Sequence, residues 1–382
     1  MKKLENTFRK LKTPFYWYDM ELLTQTLDIV KEESGKHGYH IHYAVKANAN
    51  KPILNKMIQY GLGADCVSGN EVLRSLEVGF SPKDIVFAGV GKTDEEINIG
   101  LENDIFAFNV ESIQEMEVIN ELAERKNIKA RIALRLNPNV EAFTHKYITT
   151  GLNENKFGIN IENLDAVFSI LIKLTNIELT GIHFHIGSQI TDMNVYKNLC
   201  IRVNKIQELF TEKNIKLQHI NLGGGLGINY NIPCEDLIPD FKTYFKIFAD
   251  NLKLKPNQQV HFELGRSIVA QCGNLITKVI YLKKGTQKEF VIVDAGLTEL
   301  IRPALYEAKH QIKNLSSELK EQTYDVVGPI CESADVFRKD MQLPKTKRGD
   351  LLAIKSVGAY GQVMTSQYNL RNIAKAYYSD EF

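Results

Sequence analysis

Eight short runs rich in Val, Ile and Phe recur along the first two thirds of this chain, and their rhythm restricts its fold more than any other feature. They end near Lys46 (IHYAVK), Ser68 (GADCVS), Gly89 (DIVFAG), Val110 (IFAFNV), Asn137 (RIALRLN), Gly187 (GIHFHIG), Gly223 (HINLGG) and Arg266 (VHFELGR). Amphipathic helical stretches lie between them, among them Gly69–Val78, Ser112–Arg125 and Met193–Lys213. Such apolar runs suit parallel strands covered on both faces. Eight strand–helix units in roughly 230 residues are what a TIM-type (β/α)8 barrel needs. A doubly wound open sheet ordinarily needs fewer strands. The expected class is therefore α/β, with the barrel over residues 26–266.

After Arg266 the texture changes. Ile268–Tyr281, Glu289–Asp294, Tyr324–Val327 and Asp350–Val357 read as strands, separated by turn-rich KKGTQK and PKTKRGD without long amphipathic helices. This predicts a C-terminal, mainly β domain. The aromatic run Pro14–Tyr18, followed by the helix-like Met20–Lys36, precedes the barrel strands. It is expected to join the C-terminal sheet, so the second domain is residues 1–25 plus 267–382.

A chain of 382 residues, 44% hydrophobic and 24% charged, has the composition of a globular enzyme. A net charge of +1 gives no electrostatic case for nucleic acid. No run approaches ~18 uncharged apolar residues, so no membrane span is expected, and MKKLENTFRKLK lacks the apolar stretch of a signal peptide. Cys66, Cys200, Cys234, Cys272 and Cys331 are odd in number and widely spaced. They suggest neither a disulfide framework nor a zinc site, and fit a reducing cytoplasm.

In a barrel, chemistry sits at the carboxyl ends of the strands. Lys46 ends the first run, in HYAVKANAN, among small and apolar neighbours. Desolvation lowers a lysine's pKa and frees a neutral amine to form a Schiff base with a carbonyl; pairing with a carboxylate at the strand tip is the other reading. His183 and His185 in HFHIGSQ stand at i and i+2, either as structural histidines or as a flat cover for an aromatic ligand. No third ligand at metal-site spacing accompanies them. Gly223, Gly224 and Gly225 follow a late strand, where backbone N–H groups can approach a phosphate, although a glycine triplet also makes a plain turn. Glu263 in FELGR is suited to a pyridine nitrogen or to an ion pair with Arg266. Arg302 and Tyr306 in RPALY suit a carboxylate. Cys331 in GPICESAD, beside Glu332 and Asp335, reads as a proton donor or as a small buried residue. Tyr360 lies in the glycine-rich GAYGQ.

Taken in order, YAVKAN, HFHIGSQ, GGG, FELGR, RPALY, GPICESAD and GAY…YN resemble the motifs of the pyridoxal-phosphate decarboxylases of the alanine-racemase-like barrel fold. Within that group the resemblance is greatest to the diaminopimelate decarboxylase family. It runs from Pro14 to Asn369 and includes the loop THKYITTGLNENKFG, Thr144–Gly158. Two departures are Leu264, where the family usually has proline, and Asn70, where glycine is common.

The resemblance implies that Lys46 carries pyridoxal 5'-phosphate, that His185 stacks on its ring and that Glu263 pairs with the ring nitrogen. It implies further cofactor contacts from Asp65, Ser188, Gly223, Gly224, Gly225, Gly265, Arg266 and Tyr360. Arg266, Arg302, Tyr306 and Tyr360 would receive the distal substrate carboxylate, Glu332 the distal ammonium, and Cys331 would serve protonation. Cys331 and Glu332 would act in a partner subunit's site, making the enzyme a homodimer. No metal is implied. The implied reaction is decarboxylation of meso-2,6-diaminopimelate to L-lysine, the last step of lysine biosynthesis. Ornithine, lysine and carboxynorspermidine decarboxylases share the fold and are the alternatives. An alanine racemase places arginine at the ring nitrogen, which Glu263 opposes; a catalytically inactive relative would not need both Lys46 and Cys331.

Overall fold

The computed structural model describes residues 4–140 and 156–382. The chain divides into two compact units, one of Leu27–Gly227 and Asp240–Gly265, the other of Met1–Thr26, Ile228–Pro239 and Arg266–Phe382. The expected barrel bounds, 26–266, differ from this division at Thr26, 228–239 and Arg266. Hydrogen bonds to 228–239 explain its grouping: Gln311 N donates to Tyr230 O (3.1 Å), and Gln271 Nε2 donates to Asp236 O (2.6 Å).

Strand β1 (Phe15–Tyr18) belongs to the second unit, and the barrel opens with β2 (His40–Ala44). It continues through β3 (Gly63–Cys66), β4 (Ile85–Phe87), β5 (Ala107–Val110), β6 (Ala130–Asn137), the short β7 (Ile159–Asn160), β8 (Ile177–His183), β9 (His219–Asn221) and β10 (Gln259–Leu264). The order is β5-β4-β3-β2-β10-β9-β8-β6, closed by β5–β6 pairing, with β7 attached to β6. All the pairings are parallel, as buried Val/Ile-rich runs joined by helices require.

Local signals set the helices between them. Ser68 caps Gly69–Val78 by accepting from Glu71 N, and Gly79, at φ 108, ends it in the left-handed region. Asn70 lies in the regular first turn. Thr93 and Glu96 form a reciprocal capping box on Asp94–Glu102, and Ser112 caps Ile113–Arg125. Inside the barrel, His42 Nε2 lies 2.8 Å from His261 Nδ1 and His42 Nδ1 lies 3.0 Å from Asp84 O. The rings of Phe106 and His219 pack against His261 at 5.1 and 5.2 Å.

The second unit is a sheet of β13 (Ile312–Asn314), β16 (Leu351–Ile354), β11 (Gly273–Lys284), β12 (Glu289–Val293), β14 (Glu321–Val327) and β15 (Val336–Pro344), in that order. β1 pairs antiparallel with β11, Phe15 opposite Ile276, and parallel with β17 (Lys375–Tyr378). Phe8, Phe15, Trp17, Ile276, Leu315, Leu351 and Ala353 form a buried core there. The strand read from Ile268 begins only at Gly273, because Arg266–Val269 is a helical turn. No helix among the described residues is long and apolar enough to cross a membrane.

Candidate active site

At the carboxyl rim of the barrel, Lys46 sits in a tight turn, Val45–Ala47, directly after β2. Gly265 makes room for that turn: a Cβ there would meet Ala44 Cβ at 2.9 Å and Ala47 Cβ at 3.0 Å. Lys46 Nζ donates to Asp65 Oδ2 at 2.8 Å; the Lys46 side chain is 29% exposed and Asp65 fully buried. Burial, with repulsion from Glu263, pushes the Asp65 carboxyl up to about 7 although Lys46 opposes the shift.

Glu263 lies near the end of β10 and is buried. Its Oε1 accepts from Asn109 Nδ2 (2.9 Å) and Asn221 Nδ2 (2.7 Å), and its Oε2 faces His183 Nε2 at 3.0 Å. Because an ionised carboxylate only accepts, His183 Nε2 carries the proton of that bond. Burial acts to raise the Glu263 pKa, but His183 and Lys46 outweigh it and hold the carboxyl far below its usual range. β8 ends at His183, so strand alternation does not extend to His185. Burial, then Arg135 and Lys46, keep His185 neutral by pushing its pKa well below 6.5. No group of three metal-ligating side chains exists among the described residues.

The glycine triplet follows β9. A Cβ on Gly223 would meet Phe184 O at 2.2 Å, one on Gly224 would meet Glu263 O at 1.9 Å, and one on Gly225 would meet Gly187 O at 2.6 Å. Close approach to the ends of β8 and β10 therefore requires all three. Ser188 lies on the same β8 loop, partly buried. Leu264 is fully buried in β10 beside Glu263, a core position with the ordinary backbone of a strand.

Of the residues that hold Glu263, sequence reasoning missed Asn109 and Asn221, and named His183 without its tie to Glu263. Asn109, Asn221 and His183 are polar residues inside apolar runs, the one signal that marks them. Arg135 Nη1 donates to Glu111 Oε1 at 2.7 Å and its guanidinium lies 4.6 Å from the Phe157 ring. Glu111 Oε2 also accepts from Gly158 N at 2.8 Å. Most of the loop resembling the family's, Thr144–Gly158, lies outside the described residues; only its last three positions are described.

The second unit gathers another set. Arg266 and Arg302 are both buried. The Arg266 guanidinium lies 4.9 Å from the Tyr360 ring and 5.9 Å from Tyr230; that of Arg302 lies 5.1 Å from Tyr230 and 5.8 Å from Tyr306. No carboxylate pairs with Arg302 among the described residues. Cys331 and Glu332 are exposed and have other neighbours: Cys331 N donates to Asn369 Oδ1 (3.1 Å), and Glu332 accepts from Tyr368 OH (2.7 Å). Asp335 is buried and accepts from Leu297 N and Ile330 N at 2.6 and 2.7 Å, so it shapes its loop.

The barrel rim suits the pyridoxal phosphate that the resemblance implies. Asp65 Oδ1, Asn109 Oδ1 and His183 Nδ1 are buried without a hydrogen-bond partner among the described residues. Each such group costs about 1–3 kcal/mol when left unpaired, a cost that a polar ligand at the rim would offset. An anionic glutamate, a neutral imidazole and a lysine are the side chains such a ring would use.

Comparison with known proteins agrees. Residues 23–270 match the family described as pyridoxal-dependent decarboxylase, pyridoxal binding domain. The chain is 55% identical over 375 residues to the diaminopimelate decarboxylase of Bacteroides thetaiotaomicron, covering 98% of this chain and 97% of that one. It is 43% identical to the diaminopimelate decarboxylase of Helicobacter pylori strain J99, covering 96% and 90%. A crystal structure of the Helicobacter pylori enzyme complexed with L-lysine superposes with a TM-score of 0.93 at 41% identity, covering 99% and 94%. The chain belongs to the pyridoxal-dependent decarboxylases, in the family of the diaminopimelate decarboxylases.

Proposed function

We propose that this chain decarboxylates meso-2,6-diaminopimelate to L-lysine and CO2, the last step of lysine biosynthesis, using pyridoxal 5'-phosphate. The observation that carries the reading is Glu263, a buried carboxylate kept anionic by His183, Asn109 and Asn221. Pyridoxal phosphate, when bound, supplies a protonated pyridine ring that takes up the electron pair left by CO2.

Glu263 holds the proton on the ring nitrogen. Neutral His185 covers the ring face without adding charge to it. Lys46 holds the cofactor through Nζ, with Asp65 beside that atom to accept or return its proton. Ser188 and the N–H groups of Gly223, Gly224 and Gly225 serve the phosphate, with Gly265 placing the Lys46 turn. Arg266 and Arg302, flanked by Tyr306 and Tyr360, take the carboxylate that survives the reaction. Two buried guanidiniums are wasted on a substrate without a distal carboxylate, which favours diaminopimelate over ornithine or lysine. The Helicobacter pylori relative's complex with L-lysine, a molecule that keeps that carboxylate, is consistent with this role.

Cys331 Sγ and Lys46 Nζ are the candidate proton donors to the carbon that loses CO2, and Glu332 the partner of the distal ammonium. Both Cys331 and Glu332 are exposed, and their neighbourhood exposes Tyr368 (46%) and Leu370 (97%). A second copy covering this surface would bring them to its site, as a homodimer with shared sites requires. The free cysteines fit a reducing compartment, the cytoplasm.

The test is CO2 release from meso-diaminopimelate, L-lysine and L-ornithine in parallel. Turnover of diaminopimelate alone is expected. Turnover of lysine or ornithine instead would overturn the role given to Arg302, and turnover of none would overturn the enzyme reading.

A further inference from the structure

Two buried side chains beside the arginines have no part in the roles above. Tyr230 OH accepts from Arg266 Nη1 at 2.7 Å, and the Tyr230 ring packs edge-on against His310 at 4.8 Å. His310 is itself anchored: its Nδ1 lies 2.8 Å from Lys355 O. A carbonyl only accepts, so Nδ1 carries the proton and Nε2 presents a lone pair. Arg302 Nε donates to that Nε2 at 3.3 Å. Each guanidinium is thus tied at one nitrogen by a neutral acceptor, and Arg302, with no carboxylate beside it among the described residues, keeps its charge for an anion.

We propose that His310 and Tyr230 are positioning residues that aim the Arg302 and Arg266 guanidiniums at the distal carboxylate of the substrate; this rests on the reading of those arginines as its binding site. The choice of acceptors matters. A carboxylate in either place would neutralise the arginine and compete with the substrate, whereas an imidazole or a phenol orients it and leaves its charge in force. The surroundings keep His310 in that role. Burial first, then the charge of Arg302, holds its pKa down to about 3, so it stays an acceptor at every working pH. Burial acts to raise the Tyr230 pKa, but Arg266 and Arg302 bring it below its ordinary value. His310 closes the stretch IRPALYEAKH, in which only Arg302 and Tyr306 were given roles, and Tyr230 lies outside the motifs on which the sequence reading drew. His310 stands eight positions after Arg302 and Tyr230 comes from the segment inserted between barrel elements.

The experiment compares binding of L-lysine and of cadaverine, which is lysine without its carboxylate, to the holoenzyme by calorimetry. Wild type is expected to prefer lysine by well over tenfold. His310→Asn keeps a donor for Lys355 O but withdraws the acceptor from Arg302; it is expected to cut the preference about tenfold, the scale of one charge-assisted hydrogen bond. His310→Gln, whose amide oxygen reaches the position of Nε2, should restore most of it. Tyr230→Phe keeps the ring and removes only the hydroxyl, and should also cut the preference about tenfold while cadaverine binding stays unchanged. A preserved preference in Tyr230→Phe and in folded His310→Asn would overturn the proposal while leaving the arginines' role intact. A wild type that binds both ligands alike would overturn that role as well.

Discussion

Glu263 Oε2 and His183 Nε2 meet at 3.0 Å with both side chains buried, and this contact sustains a negative charge at the end of β10. Removing the charge with Glu263→Gln should lower kcat on the order of 10² or more, the scale of a lost preorganised electrostatic contact, without releasing the cofactor. Removing the donor should act more gently. In His183→Leu the Glu263 pKa rises, so the acid limb of the pH–rate profile moves to higher pH; His183→Gln, which can still donate, should move it less. Steady-state kinetics across pH checks both.

Buried groups of the barrel make opposed contributions to stability against pH, as His219 and Asp65 illustrate. Burial, then the charges of His42 and His183, lowers His219 to about 3, so below ~6.5 the unfolded chain binds a proton that the folded one refuses. That contribution is present above ~6.5 and is lost progressively as pH falls toward 3. Asp65, raised to about 7, behaves in reverse: its contribution is present below ~3.9 and is lost as pH rises through 7. Urea unfolding of the apoprotein between pH 4.5 and 6 should show this. His219→Phe should reduce the slope of stability on pH by about 1.4 kcal/mol per unit, and Asp65→Asn should increase it by a similar amount.

Arg302→Gln should raise KM for meso-diaminopimelate about 10²-fold with kcat changed only a few-fold, because the contact is made equally before and during reaction. Arg302→Lys should recover little of this, since a point charge does not reproduce the planar fork that His310 aligns. Initial-rate measurements over a wide substrate range separate the two constants.

Shared sites predict complementation. Lys46→Ala and Cys331→Ala, each inactive alone, should regain about a quarter of wild-type activity after random subunit exchange, because half the dimers are hybrids with one intact site each. No recovery despite exchange shown by mass spectrometry would remove the shared site.

The barrel was legible because most of its strands lie in short runs rich in apolar residues, joined by amphipathic helices. Lys46, Glu263 and the glycine triplet lie where a strand end was expected. The second unit was less legible. β15 contains Arg338, Lys339 and Asp340 and alternates too little to read as a strand, and β13 and β17 are only 3 and 4 residues long. The partners of Glu263 were hidden for another reason: Asn109 lies 154 positions away and His183 80, so no local period links them. Likewise the meeting of Tyr230 with Arg266 depends on the grouping of 228–239 with the second unit, which no hydropathy pattern announces.

The pairing of β1 with β17 has a consequence for biosynthesis. One of the first strands to leave the ribosome has as its neighbour one of the last, Phe15 opposite Lys375. At 5–20 residues per second, β1 waits on the order of 20–70 s for it, while every barrel strand has been translated well before. The nascent chain therefore carries the aromatic FYWY segment with an unsatisfied edge through most of translation. A holdase that shelters exposed strand edges should bind the leading segment until β17 has emerged.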